Sequence, residues 1–98
     1  MVRAVVGIWT RDAAQTEEQI RELRERIVPN VRQSPGFVAG YWTHDPVTGK
    51  DHTLLVFGNE EAAQRCKIGV EQNSQRQGEV GIQRDLLTVV EVVAETHR

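Results

Sequence analysis

Residues Ser34 to Gln64, SPGFVAGYWTHDPVTGKDHTLLVFGNEEAAQ, spell out two strands, the hairpin joining them and the start of a helix. Ser34, Pro35 and Gly36 form a break. Between Gly36 and Asp45 the residues alternate as a strand, with Phe37, Ala39, Tyr41 and Thr43 on one face and Val38, Gly40, Trp42 and His44 on the other. Asp45, Pro46, Thr48 and Gly49 suit a turn, since aspartate accepts local amides, proline presets φ and glycine tolerates positive φ. The chain returns through Lys50 to Gly58. Asn59 then reads as the cap of a helix whose apolar stripe, Ala62, Cys66 and Gly69 or Val70, is thin enough to pack closely on the sheet.

Upstream, Val2 to Thr10 is rich in β-branched residues and apolar at both parities, with Val2, Ala4, Val6 and Ile8 on one face and Val5 and Trp9 on the other. Thr16 and Gln19 match a capping box, and Ile20, Leu23, Ile27 and Val31 recur at helical spacing, with Glu22 and Arg26 a supporting pair on the wet face. A first helix is expected from about Glu17 toward Arg32, kinked or ended near Val28 by Pro29, which lacks an amide hydrogen. Downstream, Gln72 to Arg84 reads as a polar, glycine-containing connection. The last strand is expected over Asp85 to Glu95, apolar on both faces apart from Thr88 and Glu91. A lone Glu91 there suits an edge or an ion pair. No internal repeat, linker or low-complexity tract is read.

A chain of 98 residues is expected to be one domain spanning 1–98, burying roughly 60 to 68% of its unfolded surface. Twelve basic residues against 14 acidic ones exclude a field that would draw nucleic acid or an anionic membrane. Cys66, the single cysteine, permits no internal disulfide and no cysteine-based zinc site, and reads as a packing thiol. With no charged leader before the short apolar run of MVRAVVGIWTRD and no run long enough to span a bilayer, cytoplasmic residence is the expectation.

The order strand, helix, strand, strand, helix, strand is that of a ferredoxin-like βαββαβ unit, an α+β fold with an antiparallel sheet and its helices on one side. Helices cover one face only, yet the strands are apolar on both. The uncovered face would expose more apolar surface than a monomer tolerates, so a second copy packed sheet to sheet is expected, giving a homodimer with a closed, barrel-like core.

This order, with Pro35-Gly36-Phe37, Tyr41-Trp42, Asp45, Gly49, Phe57 and Glu61-Ala62, resembles the dimeric α/β-barrel superfamily, which includes the antibiotic biosynthesis monooxygenases. The resemblance covers nearly the whole chain and is carried by structural motifs. It implies a dimer and, among members with known chemistry, cofactor-free oxygenation of aromatic polyketides, haem degradation or quinol oxygenation. Haem-degrading members carry an asparagine on the first strand and a tryptophan and a ligating histidine on the second helix. Here the first strand has Gly7, Ile8 and Trp9, and the second helix has neither tryptophan nor histidine, so haem loses its axial ligand and no cofactor is expected.

A different constellation remains. The split topology makes the first and second strands parallel with the third between them, placing Trp9 and Trp42 at one end of the sheet. Their parities permit both on the uncovered face, where Gly7 and Gly40 would leave room between aromatic walls for a flat, apolar aromatic ligand. The expected cavity thus lies between the two sheets of the dimer, lined by Trp9, Trp42, Gly40, His44 and His52. His44 is the candidate base, because a histidine can take the phenolic proton that cofactor-free oxygenation must remove. The bland reading stands beside it: tryptophans packing a dimer seam and histidines solvated beside a hairpin. No metal is expected, since a plain hairpin register sets His44 opposite Asp51 and Thr43 opposite His52, which puts the imidazoles on opposite faces. The segment RQGEVGIQR, with Gly78, Gly81 and Arg84, resembles the phosphate loop of acylphosphatase but follows the wrong element. The third strand, HTLLVFG, lacks the basic support of an RNA-recognition domain. Two functions follow: a cofactor-free monooxygenase-like enzyme acting on an aromatic or quinol-type metabolite, or a non-catalytic dimer that binds a small ligand or serves as an interaction module.

Overall fold

A computed structural model describes residues Met1–Arg98. Strand β1 (Arg3–Arg11) leads through a short turn of 3-10 helix (Ala13–Gln15) into α1 (Thr16–Glu22), a π-helical turn (Leu23–Ile27) and α2 (Val28–Arg32). Then come β2 (Phe37–His44), β3 (Lys50–Phe57), α3 (Glu60–Gln72), α4 (Ser74–Glu79) and β4 (Ile82–Glu91). The sheet order is β2-β3-β1-β4 with every neighbouring pair antiparallel, so β1 and β2 run parallel on either side of β3. This is the expected ferredoxin-like α+β architecture.

The covered face carries the core. Val5, Leu55 and Phe57 pack against Ala62 and Ala63 of α3, and the small side chains of that helix let it lie close to the sheet. Full burial of Val5 and Phe57 stabilises the fold by about 1.5–3 kcal/mol each. Gly36, at φ 81, brings the break so near α3 that a Cβ there would lie 2.8 Å from that of Ala62. As expected, Asn59 caps α3, its Oδ1 accepting the Ala62 amide at 2.9 Å. Asp45 accepts the Val47 and Thr48 amides in the hairpin, and Glu91 pairs with Arg3 at 3.5 Å on the edge strand.

Several local expectations are corrected. Thr16 does not cap α1; its hydroxyl donates to Ala13 O, and Gln19 reaches away to the carbonyls of Asp12, Val80 and Gly81. No capping box forms, because the carbonyls at the β1 and β4 ends take the same amide. The helix does not end at Val28: a wide π turn lies just before Pro29, and α2 continues to Arg32. Between Gln72 and Arg84 lies α4 rather than an unstructured connection. Arg76 holds it by a forked pair of bonds to Glu22 of α1, at 3.1 and 3.0 Å. The final strand starts earlier and stops sooner than expected, at Ile82 and Glu91, because its first residues pair with Thr10 and Arg11. A bulge near Val38 turns Phe37 to the covered face, where its ring meets that of Phe57 edge to face at 5.8 Å.

The other face of the sheet has no cover. Val6, Ile8, Tyr41, Leu54, Val56, Leu86 and Val90 present a continuous apolar surface, with Tyr41 61% exposed. At one end of it Lys50, Thr10 and Asp85 bond to one another at 2.6–2.9 Å. No helix of the chain is long and apolar enough to cross a membrane.

Candidate functional site

Trp9 and Trp42 do share one face and one end of the sheet, but it is the helix-covered face. Trp9 lies opposite Asp51 and Trp42 opposite Thr53, and with Val5 and Leu55 they form the floor of a cavity of about 270 Å³. Its roof is Ile20, Leu23, Ile27 and Val31 from the first helical run and Val70 from α3. The cavity therefore lies within a single chain, and the expectation that Trp9 and Trp42 line a pocket on the uncovered face is corrected. The cause is side-chain parity: Trp9 follows Val5, which is the core face of β1.

Gly7 and Gly40 do not leave a slot for a ligand. A Cβ on Gly7 would lie 2.7 Å from Trp9 Nε1 and from Thr53 Oγ1, and one on Gly40 would lie 3.1 Å from the Trp42 ring. Each glycine is the seat of the indole two residues later. The Trp9 indole is also tied by its Nε1, which donates to Thr53 Oγ1 at 3.3 Å.

The sequence reading found no repeat, yet GIWTRD (7–12) and GYWTHD (40–45) are near copies on the two parallel strands, and they build the same device twice. Each glycine seats its tryptophan. Each terminal aspartate accepts the amide two residues on, Ala14 for Asp12 and Val47 for Asp45. Between them the fifth positions, Arg11 and His44, converge from either side on Asp51 of the intervening strand.

That convergence is the polar part of the site. His44 Nδ1 lies 2.6 Å from Asp51 Oδ1 and 2.8 Å from Arg11 Nη2, while Arg11 Nε stands 3.4 Å from Asp51 Oδ2. Arg11, His44 and Asp51 are the charged or ionisable side chains on the cavity wall; the other polar side chains there are Thr53, Gln19 and Gln77. Gln19 is buried, and three carbonyl acceptors fix its Nε2, so its Oε1 is an acceptor left without a donor.

His52 is not part of this site. It pairs with Thr43 in the hairpin and with Ile8 across β1, which puts it on the uncovered face, while His44 opposite Asp51 faces the cavity, in the register expected from the hairpin. No group of three or more histidine, cysteine, aspartate or glutamate side chains is gathered to hold a metal ion. Cys66 sits at the edge of the core, and burial pushes its thiol up to about 11, which suits packing. Sequence reasoning missed Arg11, Asp51, Thr53 and Gln19. Alternation along β1 placed Arg11 beside Trp9, and the hairpin register already set Asp51 against His44, so both signals were present.

The chain is thus an open-faced ferredoxin-like sheet with a cavity under its helices. Among solved structures the chain is similar to a candidate antibiotic biosynthesis monooxygenase from Deinococcus radiodurans, at 19% identity and a TM-score of 0.76 over 100% of this chain and 98% of that one. It is also similar to Rv0793 from Mycobacterium tuberculosis (14%, TM-score 0.74, 99% and 100% covered) and to SnoaB from Streptomyces nogalater, a cofactor-independent oxygenase (13%, TM-score 0.71, 96% and 95% covered). At these identities the likeness is one of fold. No protein-family model and no curated protein matches the sequence.

Proposed function

We propose that each protomer binds a planar aromatic or quinol-type metabolite in the cavity beneath its helices and oxygenates it without a cofactor. The observation that carries this reading is the composition of the cavity wall: two indoles and a ring of aliphatic side chains, with one polar cluster containing His44. Apolar walls favour a flat ring, and a single convergent polar group orients it. In the chemistry proposed, His44 takes the proton of an acidic O–H or benzylic C–H, and the resulting carbanion reacts with dioxygen. One oxygen atom stays on the carbon as a carbonyl. The other leaves as water with two hydrogens of the substrate, both from the carbon of a benzylic CH2, or one from the ring carbon and one from the O–H of a phenol. The fold shared with a cofactor-independent oxygenase supports the reading at the level of architecture.

Aerobic incubation with a panel of anthrones and quinols, following oxygen uptake, is the test. Turnover in the unmodified protein that falls sharply in His44→Gln supports it; an unchanged rate in His44→Gln removes His44 as the base. Trp42→Ala is expected to weaken aromatic binding by about 1–3 kcal/mol through lost burial and stacking. The seating of both indoles on glycines favours a second reading, a non-catalytic ligand-binding module in which the tryptophans serve packing. Saturable quenching of tryptophan emission without oxygen uptake would identify that case. We also propose that the uncovered sheet face is closed by a second copy, so that light scattering during size exclusion gives twice the mass of the 11.1 kDa chain.

A further inference from the structure

A ring nitrogen either carries a hydrogen or offers a lone pair, so His44 Nδ1 cannot serve both of its close neighbours at once. The shorter contact, 2.6 Å to the Asp51 carboxylate, requires Nδ1–H as donor; the opposite choice would set two lone pairs against each other at that distance. With Nδ1–H on Asp51, two groups are left wanting. In the neutral imidazole Nε2 carries the free lone pair. Arg11 Nη2, 2.8 Å from Nδ1, faces a donor and has no acceptor there, although its side chain is mostly buried and its remaining contact to Asp51 is 3.4 Å long. A guanidinium has five donors, so this one is short of an acceptor.

We propose that Arg11, His44 and Asp51 form a proton-coupled trap for a weakly acidic hydroxyl at the cavity. The ligand class is a neutral planar phenol. Its O–H bond breaks and an N–H bond forms at His44 Nε2; the imidazolium is held by Asp51 through Nδ1, and Arg11 turns its unmatched donors to the phenolate oxygen. The exchange leaves the net charge of the site unchanged. Before transfer the site holds Arg11 positive, Asp51 negative and His44 neutral, and after it a second plus and a second minus, so the sum stays at zero. Every ionisable group facing the trap is accounted for: Arg11 from β1, His44 from β2 and Asp51 from β3, while the helical roof supplies only the uncharged Gln19 and Gln77 amides. Asp51 acts here as a positioning residue. The inference rests on the aromatic-ligand reading and adds to it the state in which the ligand is held.

The test uses the full-length chain and 7-hydroxy-4-methylcoumarin, whose phenolate absorbs at longer wavelength than its phenol, with its methyl ether as a partner that has no proton to give. At a pH where the free dye is mostly phenol, binding should raise the phenolate band, moving the apparent pKa of the bound dye down by at least about one unit, an about tenfold change in the phenolate-to-phenol ratio. Calorimetry in buffers of different ionisation enthalpy should show no net proton released, because His44 keeps the proton. Arg11→Met should lose the phenolate band, and His44→Gln should bind phenolate only with release of a proton to the buffer. Dye bound as phenol by the unmodified protein, or one proton released per dye, overturns the trap; so does an unchanged band in Arg11→Met. The first two measurements need no variant. If neither dye nor ether quenches tryptophan emission, the aromatic-ligand reading itself fails, and the trap with it.

Discussion

Gly7→Ala is the sharpest test of how the site is built. The added methyl would stand 2.7 Å from Thr53 Oγ1, 2.7 Å from Trp9 Nε1 and 2.9 Å from Trp9 Cε2, and none of these belongs to a long, adjustable side chain. The indole must lift, and with it goes the Trp9–Thr53 hydrogen bond. Overpacking of this kind costs about 1–3 kcal/mol. A lost hydrogen bond adds about 0.5–1.5 kcal/mol, and replacing a strand glycine returns about 0.5–1 kcal/mol. The net is a loss of about 2 kcal/mol. Gly40→Ala is the internal control: its contacts of 3.1–3.2 Å ask a neighbour to give only slightly, so the overpacking is mild and largely offset, leaving a loss of less than about 1 kcal/mol. Urea unfolding followed by far-ultraviolet circular dichroism and tryptophan emission, at one protomer concentration, measures both. A Gly7→Ala protein as stable as the parent, or less perturbed than Gly40→Ala, would refute the seating of Trp9 on Gly7.

Three further outcomes are expected. Arg76 above all, with Arg26, holds the Glu22 carboxyl down at about 2 against an ordinary 4.5; a depressed carboxylate stabilises fully above its unfolded value, so Glu22→Gln should be less stable than the parent at neutral pH, with the gap closing between about pH 4.5 and 2 in unfolding curves. Asn59→Ala should cost about 1 kcal/mol in thermal or denaturant unfolding, because the Ala62 amide loses its acceptor. With its thiol pushed up to about 11, Cys66 should react with iodoacetamide at neutral pH on the order of a hundredfold more slowly in the native protein than after unfolding; equal rates would contradict its packed position.

The fold was legible because each of its decisive elements has a local cause. The Pro35-Gly36 break, the Asp45–Gly49 turn and the Asn59 cap are set by residues within a few positions of where they act. What stayed hidden depends on distant parts of the chain. Segment α4 has little apolar stripe of its own and is held by Arg76 reaching Glu22, a pairing 54 residues apart that periodicity does not register. Gln19 was read as a helix cap because its partners, Val80 and Gly81, lie far along the sequence. The site was half legible. Parity put Trp9, Trp42 and His44 together, but deciding which face the helices cover required tracing Val5 and Leu55 to α3, and His52 was assigned to the cavity against the register that excluded it. The paired GIWTRD and GYWTHD stretches were visible throughout; their substitutions, Arg11 against His44 above all, obscured them.

The strict alternation of β1 and β3 has a consequence for how this protein can change over time. On β1 the positions Val5, Gly7, Trp9 and Arg11 belong to the cavity side and Ala4, Val6, Ile8 and Thr10 to the open side; on β3 the same split separates Asp51, Thr53 and Leu55 from His52, Leu54 and Val56. A point mutation therefore lands on one side or the other. A lineage can alter the cavity lining through one set of codons while the opposite set stays under separate selection. An insertion or deletion of one residue in either strand exchanges the two sets at a stroke, so substitution is the open path of divergence and a shift in length the closed one.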